Sequence, residues 1–180
     1  MKSIPFDVND AELRAAFLGP LMAESLARLR ADAPPRWGAM TAQQMVEHLE
    51  WVFDASTGRV VLECTVPEPR RERLKGFLYD ATPTPREFRN PVLVAGLPPP
   101  RHAGLPEARE ALSIAVGRFL EGPHDEPDAR HVHPVFGPLG VEEWSRSHFK
   151  HGYHHLLQFG LVEPPIADPP QGRAERSRGD

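Results

Sequence analysis

A single cysteine, Cys64, stands in 180 residues. No intramolecular disulfide and no cysteine-rich metal cage is therefore open to this chain. That usage fits a reducing compartment, and cytoplasmic localisation is the expectation. Basic residues are short as well: 21 lysines and arginines face 25 acids, for a formal charge of -4. The basic footprint that phosphate backbones require is missing, which argues against a nucleic-acid partner. No stretch approaches the roughly 18 apolar residues of a membrane-spanning helix, and MKSIPFDVND carries no apolar run after its lysine. No membrane partner is expected. Internal repeats are also absent.

Proline is what the chain has in excess, with 21 residues gathered in connectors. Between them lie segments with helical periodicity. Asn9 or Asp10 is a plausible N-cap for a helix over about 10 to 31, with Leu13, Phe17, Leu21, Met22, Leu26 and Leu29 on one stripe. Pro20 interrupts it, so a kink or a fresh helix start is expected there. TAQQMVEHLEWVF opens with Thr41 followed three residues later by Gln44, a capping-box pattern, and places Met45, His48, Leu49 and Val52 on one face. Residues 59 to 66 fit a short strand or a ragged helical continuation equally well. RRERLKGFLYD fits a short helix. Residues 81 to 105 and 121 to 140 are too rich in proline and glycine for regular structure and are expected to be loops. Helices are expected from about Pro106 to Leu120, with Leu112, Ala115, Val116 and Phe119 inward, and from Val141 to Phe159, ending at Gly160. The sum is an all-α chain, a four-helix bundle with long proline-rich connecting loops. One domain over 1 to 162 is followed by a tail, 163 to 180, that nothing can pack.

HFKHGYHHLLQF places four of the nine histidines within eight positions. On a helix, His148, His151 and His155 fall within about 60° of one another, while His154 points roughly 100° away from His155. Axial rise then separates the three, because His148 and His155 are about 10.5 Å apart and cannot share one ion with bonds near 2.1 Å. His151 and His155, one turn apart, can converge. A catalytic site needs a third ligand, and His48 sits in another helix on a face expected to point inward. A lone histidine on an apolar face is most often a hydrogen-bonded core residue, so His48 becomes a candidate through its coupling to the pair.

The other chemistry-bearing residues are expected to be ordinary. His131 and His133 face the same way in an extended HVHP and read as solvated loop residues, as do His102 and His124 beside prolines. Glu47 and Glu143 have no partner spacing and suit a solvated face. Trp37, Trp51 and Trp144 suit the core or a pocket wall. Cys64 lacks the setting of a nucleophile.

The segments RWGAMTAQQMVEHL and HPVFGPLGVEEWSRSHFKHGYHHLLQFGL together resemble the DinB/YfiT-like superfamily of metal-binding four-helix bundles, and an uncharacterised subgroup of it most closely. The resemblance extends in organisation over about residues 10 to 162. It implies metal ligation by His48, His151 and His155, with zinc or nickel as the divalent transition ion. It also implies transferase or isomerase chemistry on a small-molecule substrate, using a low-molecular-weight thiol such as mycothiol or bacillithiol. A homodimer is the assembly considered beside a monomer. The proline-rich segment 81 to 105 departs from the family, which puts its substrates in doubt for this chain. Two alternatives stay open: a metal-dependent hydrolase using bound water, and a non-catalytic binding or stress-related module with a structural metal. A closed structural site needs a fourth protein ligand, and no cysteine is placed to provide one.

Overall fold

The computed structural model describes residues 4–86, 98–122 and 128–164. His124 and the tail beyond residue 164 lie outside the described residues. The described chain is mainly helical. Helix α1, Ala11–Ala16, is capped by the Asp10 carboxylate, which accepts from Leu13 N at 2.9 Å. It runs into a π-helical turn, Phe17–Leu21, and then α2, Met22–Ala27. The break expected from Pro20 is a kink at Gly19, whose ψ of -107° is non-helical. Helix α3 spans Ala42–Ser56, α4 Glu68–Lys75, α5 Leu105–Glu121 and α6 Val141–Gln158. A short 3₁₀ turn, Gly76–Leu78, follows α4. Residues 59 to 66, which fit a strand or a helical continuation, form neither.

The expected loop 121 to 140 requires a correction. His131–His133 and Gly137–Leu139 form β1 and β2, an antiparallel pair with Val132 opposite Pro138. Gly137, at φ 72°, supplies the left-handed residue that brings the chain back. The run is too short to give a period-2 signal, and its prolines mask it.

Helix α3 packs along α5, and α6 packs against α3 and the kinked N-terminal helices. The inward residues expected on α5, Leu112, Ala115, Val116 and Phe119, are all buried. On α6, Phe149 and Tyr153 meet Phe17 at ring separations of 4.9 Å and 6.0 Å. Gly152 lets α6 approach that closely, since a Cβ there would lie 3.1 Å from the Phe17 ring. No helix among the described residues is long and apolar enough to cross a membrane.

Candidate metal centre and cavity

Two helices carry the candidate ligands, and each has a local reason for its register. Helix α3 begins with the capping box read from the sequence: Thr41 Oγ1 accepts from Gln44 N at 3.2 Å, and Gln44 Oε1 accepts from Thr41 N at 3.0 Å. Helix α6 begins at Gly140, whose N–H donates to the Glu143 carboxylate at 3.1 Å. Glu143 is therefore a cap, with Arg130 at 3.6 Å and Lys75 at 3.8 Å, and not the solvated side chain expected. Gly160, at φ 67°, closes the chain off just past the helix end.

His48 on α3 meets His151 and His155 on α6. The Nε2 atoms of His48 and His151 are 3.0 Å apart, as are those of His151 and His155. All three ligand nitrogens lie within 4.8 Å of one another, a group that can hold a metal ion. Bonds near 2.1 Å to a tetrahedral ion put ligand nitrogens roughly 3.4 Å apart, so a small adjustment brings the trio to that spacing. Imidazole nitrogens suit zinc, copper, iron and nickel.

The trio is also prepared electrically. Burial, followed by the charge of His154, lowers the pKa of His48 to about 4. Burial pushes His151 and His155 well below the ordinary value near 6.5, with repulsion from His155 and His48 adding at His151 and from His48 and His154 at His155. Neutral imidazoles keep the lone pairs that a metal requires. His155 is further oriented from behind, because its Nδ1 donates to Gln158 Oε1 at 2.7 Å and Gln158 Nε2 donates to the Trp37 carbonyl at 2.8 Å.

The remaining histidines of α6 are used differently. His148 is buried, stacked on Phe53 at 3.8 Å and 8°. Its Nε2 donates to Ser56 Oγ at 2.8 Å, while that hydroxyl donates to the Phe53 carbonyl at 2.7 Å. His154 Nδ1 donates to the Thr84 carbonyl at 3.3 Å and stands edge-on to Trp37. Neither joins the trio, as the helix geometry anticipates.

His48, His151 and His155 line a cavity of about 490 Å³ whose walls are mostly apolar, among them Trp51, Phe77, Phe136 and Trp144. Trp37 and Trp51 are half-buried wall residues, while Trp144 belongs to both wall and core. Lys150 enters from α6 with its side chain only 2% exposed. Its ammonium donates to Asp80 at 3.0 Å and to the Thr82 carbonyl at 2.8 Å, and lies 3.6 Å from the Phe77 ring centroid. Burial lowers its pKa, against the Asp80 charge that raises it. Cys64 is half-buried and not a lining residue.

Three further expectations give way. His133 is no solvated loop residue; it lines the cavity, packed on Phe136 and Trp144. Glu47 is 5% exposed, and its carboxylate accepts from Arg101 N at 2.7 Å, His102 N at 3.1 Å and Gln43 Nε2 at 2.9 Å. His102 is half-buried and pairs with Glu50 at 2.8 Å. These carboxylates dock residues 101 and 102 onto α3 beside His48. Gln158, three residues after His155, was within reach of a helical-spacing argument; Glu47 depends on backbone groups 54 and 55 residues away, and the cavity side of His133 on the packing of its strand against Trp144 of α6.

Compared with known proteins, the chain matches no family model, no curated protein and no solved structure.

Proposed function

We propose that this chain is a metal-dependent enzyme in which His48, His151 and His155 hold a divalent ion, zinc or nickel, that activates a low-molecular-weight thiol. One observation carries the reading: three neutral imidazole Nε2 atoms from two helices converge on the wall of a largely apolar cavity. The ion would supply Lewis-acid charge and stabilise a bound thiol as its thiolate. Gln158 keeps His155 in the tautomer that ligates through Nε2. The tryptophan and phenylalanine walls limit water and accept an apolar small molecule. Three ligands without a fourth among the described residues favour an exchangeable position over a closed structural site. The resemblance to the DinB/YfiT-like superfamily supports the same reading and extends it to a four-helix bundle with transferase or isomerase chemistry.

The test is spectroscopic. A cobalt-substituted sample should develop a sulfur-to-cobalt charge-transfer band when mycothiol is added, and the His48→Ala variant should not. A silent spectrum with bound cobalt and an accessible solvent ligand favours hydrolysis. A fourth protein ligand on the ion replaces catalysis by a structural role.

A further inference from the structure

Several polar groups of the cavity outside the three imidazoles, the buried indole Nε1 of Trp37 among them, have no hydrogen-bond partner among the described residues, and two of them are tied to Trp144. One is Nε2 of His133. The other ring nitrogen, Nδ1, accepts the backbone N–H groups of Val135 at 3.1 Å and Phe136 at 3.4 Å. A neutral imidazole that accepts at Nδ1 carries its proton on Nε2. Burial lowers the pKa of this ring to about 3, so the arrangement persists at ordinary pH. The ring is held in place by Phe136 at 4.5 Å and Trp144 at 5.1 Å.

The second group is the hydroxyl of Ser147, a residue 6% exposed on α6. Ser147 lies four residues before His151, hence on the same helix face one turn away. It also lies three residues after Trp144, the side chain on which His133 packs. Both line the one cavity, and its described walls include no aspartate or glutamate. An N–H with nothing to donate to in apolar surroundings is a demand for an acceptor.

We propose that His133 Nε2 and Ser147 Oγ form an acceptor subsite that recognises an uncharged oxygen, the carbonyl of a ketone, ester or amide, on an otherwise apolar small molecule. The subsite rests on the reading of this cavity as the substrate site and deepens it by naming the substrate class. Both groups are neutral, and the two cations of the lining are engaged elsewhere, Lys150 with Asp80 and Arg86 over the Trp37 ring, so the pair offers hydrogen bonds without the charge that a desolvated carboxylate would require. The distance of one helical turn from His151 sets the acceptor apart from the metal-facing part of the molecule.

Two probes of matched shape test this: 4-fluoroacetophenone, and 4-fluoro-α-methylstyrene, in which a methylene replaces the carbonyl oxygen. Fluorine NMR titrations are run on the full chain as purified and again after chelation. The wild type should prefer the ketone by about tenfold in both samples. His133→Asn, whose side-chain oxygen can still accept from Val135 N, should lose most of that preference while binding the styrene unchanged. Ser147→Ala, which disturbs no backbone contact, should lower the preference independently. Equal affinity for the two probes in the wild type overturns the subsite, as does a preference that survives both variants or an absence of binding by either probe. Metal content is measured on the same samples. A chain that binds no ion but keeps the ketone preference refutes the metal reading alone, and a metal-loaded chain indifferent to the carbonyl refutes the subsite alone.

Discussion

Gln158 decides which nitrogen of His155 is free to ligate. Its Oε1 sits 2.7 Å from His155 Nδ1, and its Nε2 donates to the Trp37 carbonyl at 2.8 Å. Turning the amide over would set oxygen against oxygen at Trp37, so the backbone of residue 37 selects the His155 tautomer through one side chain. Gly38 protects the arrangement: at φ 78° it adopts a conformation glycine favours, and a Cβ there would lie 2.8 Å from Gln158 Nε2. Gln158→Leu should weaken metal binding by about 10- to 100-fold while leaving roughly one ion per chain at saturation. Competition titration with a chromophoric chelator measures it, and unchanged affinity would remove Gln158 from the site.

Metal content should separate the histidines of α6. His48→Ala, His151→Ala and His155→Ala should each weaken binding greatly, because two imidazoles remain. His154→Ala should not, since that ring is engaged with Thr84 and Trp37. Elemental analysis of the untagged proteins is the check. Equal metal in wild type and in a His151→Ala, His155→Ala double variant rejects the site.

Acid should destabilise the metal-free protein before its carboxylates titrate. Burial lowers His133 to about 3, and burial together with the charge of His133 lowers His148 well below the ordinary value. Below about pH 6.5 the unfolded chain binds protons at these rings and the folded chain does not, so stability falls as pH falls. Between pH 6.5 and 5, His133 alone should contribute a slope approaching about 1.4 kcal/mol per pH unit. Urea unfolding across that range should show a steep loss in the wild type and a shallower one in His133→Asn. A flat wild-type profile would contradict the buried neutral rings.

Glu47 should matter more for stability than its place beside a candidate ligand suggests. Glu47→Ala leaves the Arg101 and His102 backbone N–H groups without their acceptor, at a cost of about 2 kcal/mol. Glu47→Gln keeps an oxygen for one of them and should cost less. Thermal denaturation of the two variants, with metal affinity measured alongside, distinguishes a docking role from a ligating one. A wild-type melting temperature in Glu47→Ala would dismiss the clamp.

Local chemistry made the helices legible in the sequence. The Thr41 and Gln44 box, the proline near the start of α5 and the glycine after α6 are boundary signals whose partners lie within four residues. The helical repeat likewise fixed which of His148, His151, His154 and His155 can share an ion, because direction and rise follow from backbone geometry alone. It could not place His48 opposite them; that needed α3 and α6 to pack in one register. The same limit hid the β1 and β2 pair, whose three-residue strands are held by a turn and by packing on Trp144. It also hid the cavity side of His133 and the burial of Glu47. A side chain's spacing along a helix is a property of the chain, whereas its partner across a cavity exists only after distant segments have folded against each other.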